Sequence, residues 1–390
     1  RFWGLLQTLF DASWRFQSRD PVLPPRTPWD IFQLLTALRP DTLVTVPFAL
    51  MTVADALKLC GVGQDERLRR FLDLQLKLYS QVGADETALL YAATALAVSQ
   101  EPQGLFHLQG SMQVLSDRLT DSLREHGGTL QTRHRVEAIT TENGSATGLQ
   151  VHNLKTKATH FEPGEIVITN LTAPNLGQLL TTAEGTHPWQ GLTLDLYRRR
   201  MDKQLPEASG AFVIYLGVKR DALPDDCPPH LQFLYNPEGP IGENNSLFVS
   251  VSKPGDGRAP DGHATLIASS FTDVENWWLC DETGYQERKQ FYTDSAIAKL
   301  NSYFTLNSDT ILHTEAATPR TFAHYTARDR GIVGGVGQRL STFGPFGIPT
   351  RSPIPNLWLT GDSTHPGEGT AGVSYSAWTV VRQIMTAYGK

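Results

Sequence analysis

The segment that most restricts the possible folds of this chain is NLWLTGDSTHPGEGTAGVSYS, residues 356–376. Its apolar run at 357–360 predicts a buried strand, and the glycines that follow predict a loop leading into a helix that opens near Gly372. In α/β proteins a strand, a glycine-rich turn and a helix direct backbone N–H groups at an electron-rich ligand. A turn that merely connects a strand to a helix has the same spacing, so the pattern alone leaves both interpretations open.

Composition narrows the class of protein. The chain has 390 residues, 40% hydrophobic and 19% charged, with a net charge of −6. This length predicts two or three domains, and the balance of residue types argues against extended disorder. A nucleic-acid binder needs a dense basic face, which the charge pattern lacks. Cys60, Cys227 and Cys280 are too far apart for a disulfide framework or a clustered zinc site. We therefore expect an intracellular protein that binds neither nucleic acid nor metal.

The sequence also bears on membrane contact. No run reaches the roughly 18 apolar residues of a spanning helix, and no signal peptide is recognisable. Residues 1–16 predict an amphipathic helix with Trp3 and Trp14 on its apolar face and Arg1 and Arg15 beside it. Such a helix suits a membrane interface, although packing within a helical subdomain produces the same pattern. We expect a cytoplasmic protein or one peripheral to a plasma or thylakoid membrane.

Apolar periodicity divides the chain into four regions. Residues 1–103 predict a helical lobe, with helices over 1–16, 29–63, 66–79 and 86–97. Residues 104–180 predict a helix over 112–126 and strands over 129–133, 136–141, 148–154 and 165–169, with a hairpin turn at 142–144. Residues 181–330 predict strands over 211–218, 231–235, 247–251 and 264–271 and a long helix over 282–300. Residues 331–390 return to a strand, a glycine-rich loop and a closing helix over 371–388.

These segments resemble a known family. Gly361-Asp362, the loop 363–369 and the helix start 370–373 resemble the C-terminal flavin motif of FAD-dependent carotenoid desaturases and carotene isomerases. Residues 104–111, followed by Gly127-Gly128 and Val136, resemble an earlier glycine, helix and strand arrangement of the same family. Residues 318–335 resemble the segment before the terminal motif in its isomerase-like branch. With the run His365-Pro-Gly-Glu368, the similarity is greatest to cyanobacterial-type carotenoid C3′,4′-desaturases.

The resemblance implies a fold and a cofactor. We expect a mixed α/β (α+β) flavoprotein with a discontinuous Rossmann-like FAD-binding domain, formed by residues 104–180 and 331–390. Residues 181–330 would form a substrate domain, and residues 1–103 a lobe facing substrate or membrane. Gly361 and Asp362 would contact the ribityl and pyrophosphate part of FAD, and Val136 the adenine. The helix start would lie at the pyrimidine end of the flavin; it comprises Gly369, Thr370, Ala371, Gly372 and Val373.

The implied activity is oxidoreduction in carotenoid biosynthesis. We expect desaturation of an acyclic or monocyclic carotenoid, of the C3′,4′ type, by hydride transfer to the flavin. His365 and Glu368 are the candidate acceptors of the remaining proton, unless they only fix the loop by hydrogen bonds. The alternatives on the same scaffold are cis–trans isomerisation by reduced FAD and oxidation of an amine or porphyrinogen. A further alternative is a module that binds a prenyl or lipid group without catalysis.

One departure from the family pattern affects the cofactor. Members of the family begin with a strand, a G-x-G-x-x-G loop and a helix that holds the FAD pyrophosphate. Gly61 and Gly63 are followed by Glu66 at the third position, and the cluster at 334–337 by Leu340, so both are interpreted as turns. The chain also begins with Arg1 rather than Met. We therefore expect a fragment without the N-terminal dinucleotide-binding element, inactive by itself.

Overall fold

The computed structural model describes residues 1–98, 106–180, 195–200 and 209–389. The chain divides into two compact units: the first comprises Arg1–Gly104, Arg133–Ala208 and Gly334–Lys390, and the second Leu105–Thr132 and Ser209–Val333. The start of the glycine loop predicted at 104–111, Gly104 itself included, lies outside the described residues, as do the predicted domain boundaries at 103/104 and 181.

The first unit begins with the predicted helices. They are α1 (Phe2–Gln17), α2 (Pro28–Ala37), a 3-10 helix (Pro40–Phe48), α3 (Val53–Leu59), α4 (Glu66–Ser80) and α5 (Leu89–Val98). The helical segment predicted over 29–63 is divided into α2, the 3-10 helix and α3. Pro40 and Pro47 cannot donate backbone hydrogen bonds, and the chain between α2 and α3 winds as a 3-10 helix. Leu6, Leu72 and Leu89 are fully buried in the core of this lobe.

The first unit also contains two small sheets. Strands β1 (His134–Glu142), β2 (Ser145–Asn153) and β3 (Thr159–Pro163) form an antiparallel meander in which Val136 pairs with Val151. The predicted hairpin turn is confirmed, since Asn143 and Gly144 have φ values of 49° and 79°. Strand β4 (Val167–Thr169) is followed by α7 (Ala173–Leu179), and residues 195–200 are also helical.

The prediction of a strand over 129–133 is wrong. These five residues are exposed, so no buried face favours pairing with a sheet. Arg133 has a φ of 59°, which lies in the left-handed region and breaks an extended backbone. The first strand of the meander starts one residue later, at His134.

The second unit is built around a five-stranded antiparallel sheet, with α6 (Gln113–Glu125) preceding it in the chain. The strand order is β6-β7-β8-β5-β9, where the strands are β5 (Gly210–Lys219), β6 (His230–Leu234), β7 (Ser246–Val251), β8 (His263–Thr272) and β9 (Ile311–Ala317). Its helices are α8 (Glu275–Trp278), α9 (Glu282–Leu300) and α10 (Pro319–Thr326), with short 3-10 turns at Arg220–Ala222 and Asp329–Gly331. Trp277 and Phe212 stack in its core, with ring centroids 6.2 Å apart.

The C-terminal part of the chain returns to the first unit. After a 3-10 turn (Gly344–Phe346), strand β10 (Leu357–Leu359) pairs in parallel with β4, and α11 (Thr370–Ala387) closes the fold. The predicted strand, loop and helix are therefore confirmed, with the helix starting at Thr370 rather than near Gly372. Across the described ranges, no helix combines the length and the apolar character needed to cross a bilayer.

Candidate functional site

Strand β10 and helix α11 anchor the glycine-rich turn between them. The Thr360 N–H donates to the Thr169 carbonyl oxygen over 2.8 Å, which extends the parallel pairing to the start of the turn. Gly361 has a φ of 105°, and a Cβ there would lie 2.3 Å from Asn170 Oδ1. The Gly361 N–H donates to Ser376 Oγ over 2.9 Å, so the turn is tied to the helix as well. The positive φ and the lack of room for a Cβ both favour glycine at position 361.

A second glycine-rich turn, residues 334–337, lies against the first. A Cβ on Gly335 would lie 2.0 Å from the carbonyl oxygen of Asp362. The backbone of Gly335 therefore packs directly against the backbone of Asp362, whose side chain is half-buried. The 334–337 cluster forms bends and no helix follows it directly, in agreement with its interpretation as a turn.

The start of α11 is open to an external acceptor. Its N-cap is Gly369, with a φ of 86°, and glycine has no side chain to accept from the first-turn N–H groups. Gly369, Thr370 and Ala371 are exposed. Gly372 packs on the loop, because a Cβ there would lie 2.5 Å from the Gly367 carbonyl oxygen. Within the described ranges no side chain caps the first-turn N–H groups, so the helix presents its positive end at the loop surface.

The carboxylate of Glu368 accepts hydrogen bonds from Gln81 and Gly335. Gln81 Nε2 donates to Oε2 over 2.9 Å and to Oε1 over 3.2 Å, and the Gly335 N–H donates to Oε2 over 3.3 Å. Sequence reasoning did not identify Gln81, which precedes Glu368 by 287 positions and carries no local signal for a contact there.

His365 is a buried residue of the same loop. Its ring packs against that of Phe343, with the two ring centroids 5.6 Å apart. Neither nitrogen of the imidazole has a hydrogen-bond partner among the described residues. Burial lowers the pKa of the imidazole to about 4, so His365 is uncharged at neutral pH.

The predicted site residues fall into two groups. All but one lie between positions 361 and 373, on the turn and the first helical residues described above. Val136 lies in β1 of the meander, half-buried, in a different sheet of the same unit. No group of three or more His, Cys, Asp or Glu side chains that could hold a metal is found in the described part of the chain.

These features fit a flavin dinucleotide. The close backbone approach at Gly335 and Asp362, the uncapped helix start and the unpartnered nitrogens of His365 give a mixture of acceptors, donors and apolar surface. A helix N-terminus favours an electron-rich ring edge or an anion. Gly361, Asp362 and the residues 369–373 could hold such a group from one side.

Residues 53–385 match the sequence profile of the family described as flavin containing amine oxidoreductase. The chain belongs to this family, which confirms the expected cofactor, FAD, and the oxidoreductase class.

The relatives lie among carotenoid enzymes. The chain is 27% identical over 338 residues to the chloroplastic prolycopene isomerase of Daucus carota, covering 84% of this chain and 51% of the relative. It is 25% identical over 343 residues to the zeta-carotene-forming phytoene desaturase of Myxococcus xanthus, covering 83% and 60%. The resemblance to carotenoid desaturases and isomerases is thereby confirmed. The chain spans about half the length of the plant relatives it matches.

Solved structures support the fold. An oxidoreductase from Methanosarcina mazei is similar with a TM-score of 0.59 at 16% identity, covering 87% of this chain and 71% of that chain. The PF1083 protein from Pyrococcus furiosus is similar with a TM-score of 0.50 at 14% identity, covering 87% and 69%. The expectation of a mixed α/β fold is confirmed.

Proposed function

We propose that this protein is an FAD-dependent oxidoreductase that desaturates an acyclic or monocyclic carotenoid, with the C3′,4′ type as the specific reaction. The observation that carries the proposal is the exposed, uncapped start of α11 beside the contact between Gly335 and Asp362. Relatives named for carotenoid desaturation and isomerisation supply the substrate class.

The residues of the turn and helix would bind and orient the cofactor. Gly361 and Asp362 would hold its ribityl and pyrophosphate part, and the Val136 backbone its adenine. The N–H groups of Thr370 and Ala371 would face the pyrimidine end of the ring system, where their dipoles stabilise negative charge. When bound, FAD supplies the hydride acceptor that a polyene desaturation requires.

The second hydrogen of a desaturation leaves as a proton, which needs an acceptor. We assign this role to Glu368, whose carboxylate is held in place by donors. His365, with a pKa of about 4, is a weak base and is buried within the loop. Its neutral ring would fill the space beneath the flavin motif without adding charge.

The test begins with the gene product, expressed from its complete coding region. We expect a flavin absorption spectrum in the purified protein and, with an acyclic or monocyclic carotenoid, a product that has lost two hydrogen atoms and absorbs at longer wavelength. Mass spectrometry and chromatography of the pigment measure both. A purified protein without flavin would contradict the proposal.

A second candidate reaction is cis–trans isomerisation of a carotenoid by reduced FAD. The similarity to prolycopene isomerases of several plants favours it. The same residues would bind the cofactor, and no net oxidant would be required. The product then keeps the mass of the substrate and forms only after the flavin is reduced, so the same pigment measurement separates the two reactions.

We also propose that the protein draws its substrate from a membrane surface. The apolar face of α1 packs into the core, although Trp3 and Trp14 remain 42% and 53% exposed. The larger exposed apolar surface belongs to α2 and the residues that follow it; its members are Phe32, Leu35, Leu38, Leu43, Val46 and Leu50. Large apolar side chains clustered at a surface are typical of a lipid or protein contact.

Flotation with lipid vesicles tests this contact. We expect the wild-type protein to float with vesicles of mixed neutral and anionic lipid, and the double variant Leu35→Glu, Val46→Glu to stay at the bottom of the gradient. Phe291→Glu is the matched control, because Phe291 is a comparably exposed apolar residue in the second unit. A wild-type protein that does not float would contradict the proposal.

A further inference from the structure

Gln81 ends helix α4 in an unusual conformation. It has a φ of 67°, in the left-handed region that residues other than glycine and asparagine rarely adopt, and its side chain is buried. A residue held in such a conformation is fixed by its surroundings, and these positions are frequent at functional sites. The amide of Gln81 is directed at Glu368, in the loop that precedes α11.

The space for this pair exists because position 334 is a glycine. A Cβ on Gly334 would lie 2.2 Å from Gln81 Nε2 and 2.4 Å from Glu368 Oε2. The next residue, Gly335, donates its N–H to the same carboxylate oxygen. The glycine turn thus leaves room for the Gln81–Glu368 contact and supplies one of its hydrogen bonds.

The contact has a defined polarity. The Gln81 NH₂ group faces the carboxylate, while its Oε1 has no hydrogen-bond partner within the described ranges. A buried amide oxygen without a partner is costly. The orientation of the amide therefore satisfies the Nε2 group and leaves Oε1 without a partner. We attribute this orientation to the hydrogen bonds that Nε2 donates to Glu368.

Other titratable groups lie near this carboxylate or in the same loop. Lys77 on α4 and Tyr91 on α5 both lie within its electrostatic range, and Asp362 and His365 belong to its own loop. Lys77 Nζ donates to the Gln81 carbonyl oxygen over 2.8 Å, and burial lowers the pKa of Lys77. Donors and a nearby cation both favour the ionised form of a carboxylate.

We propose that Gln81 is a positioning residue, which holds the carboxylate of Glu368 ionised at the glycine turn so that it can accept the proton lost by the substrate. This role rests on the proposed function. In that step a substrate C–H bond would break and its proton would form an O–H bond on the carboxylate of Glu368, while FAD, when bound, would take the hydride from the adjacent carbon. The glutamine itself exchanges no proton.

The titration of Glu368 tests the proposal without turnover. The infrared difference between the protein and its Glu368→Gln variant isolates the carboxyl band, which is followed against pH. In Gln81→Leu we expect protonation of Glu368 at a pH about one unit higher than in wild type, because a donor to the ionised form is lost. In Gln81→Glu the shift is larger, because a like charge then lies within hydrogen-bond distance.

Two controls separate the side chain from the backbone. Asparagine tolerates the left-handed conformation but is one methylene shorter, so Gln81→Asn keeps the turn and we expect it to titrate like Gln81→Leu. Glu86→Gln removes a carboxylate that pairs with Arg339 and also acts on Lys77, and we expect it to leave the Glu368 band unchanged. Thermal unfolding of each variant verifies that it is folded.

The outcomes are distinct. If Gln81→Leu and Gln81→Asn both titrate as wild type, the positioning role is excluded. If the positioning role is correct, the acidic limb of the pH–rate profile shifts to higher pH in the same variants, by the same amount as the infrared titration. A wild-type protein without flavin would contradict the proposed function, whereas the infrared titration would still report on the Gln81–Glu368 contact.

Discussion

The carbonyl oxygen of Asp362 lies so close to Gly335 that a Cβ on this residue would be only 2.0 Å from that oxygen. Two turns that are separated in sequence are therefore in direct backbone contact at the candidate flavin site. The contact depends on one missing side-chain atom, and it can be tested directly.

Gly335→Ala should destabilise the first unit by about 1–3 kcal/mol, because the new methyl group has to displace the backbone of the turn at Asp362. Urea unfolding, followed by circular dichroism, measures the change in the free energy of unfolding. Gly4→Ala is the control: no atom lies within 4 Å of a Cβ at this helical position, so alanine should stabilise α1 by up to about 1 kcal/mol. Equal effects of the two substitutions would show that the backbone contact is absent.

His365 should make stability depend on pH. Its folded pKa of about 4 lies below the usual value of 6.5, so the unfolded chain takes up a proton first as the pH falls. The free energy of unfolding should keep its full contribution from the neutral His365 above pH 6.5. Between pH 6.5 and pH 4 it should decrease by about 3 kcal/mol. His365→Leu should flatten the curve in this window, measured by urea unfolding at several pH values. The exposed His313→Gln should retain the wild-type slope, and an unchanged slope in His365→Leu would contradict the assignment.

Asp30 should be sensitive to the loss of its cation. Its carboxylate is fully buried at the start of α2, where it accepts from the Thr27 N–H and from Arg351 Nε, the latter over 3.2 Å. Arg351→Met leaves a buried charge with fewer partners and should cost about 3 kcal/mol in the free energy of unfolding. Arg69→Met breaks a pair with the exposed Asp85 and should cost less than about 1 kcal/mol. Similar losses in both variants would contradict this ranking.

Two adjacent tryptophans of the second unit should contribute very differently to the free energy of unfolding. Trp277 is fully buried and donates its indole N–H to Thr272 Oγ1 over 2.9 Å, whereas Trp278 is 40% exposed. Trp277→Ala should cost about 3–5 kcal/mol through the cavity it leaves. Trp278→Ala should cost clearly less, measured in the same denaturant series. The reverse order would mean that the core of this unit is assigned to the wrong residue.

Local patterns were sufficient to predict the elements whose signals lie within a short stretch of sequence. The apolar spacing of the helices, the turn at Asn143–Gly144 and the strand, loop and helix over 356–388 are examples, because each depends on neighbouring residues. The strands β3 and β9 were not predicted. β3 is exposed throughout and β9 over most of its length, so neither shows the alternation of apolar and polar residues that marks a half-buried strand.

The candidate site was predictable only in part, for a related reason. The turn at 361–373 was identified from its own glycines, but its contacts with Gly335 and Gln81 join distant parts of the chain. Gln81 has no residue pattern that distinguishes it from an ordinary surface glutamine at the end of a helix. Its contact with Glu368 follows from tertiary packing, which a single sequence does not reveal.

The parallel pairing of β4 with β10 has a consequence for biosynthesis. Because β4 comes from the middle of the chain and β10 from residues 357–359, a ribosome releases the first strand long before its partner exists. During that interval β4 has an open edge, which is a target for misassociation and for chaperones. Each helix of residues 2–98 is held by backbone hydrogen bonds between residues close in sequence, so the individual helices can form early. The turn at 361–369, which follows β10, therefore reaches its final structure only late in synthesis.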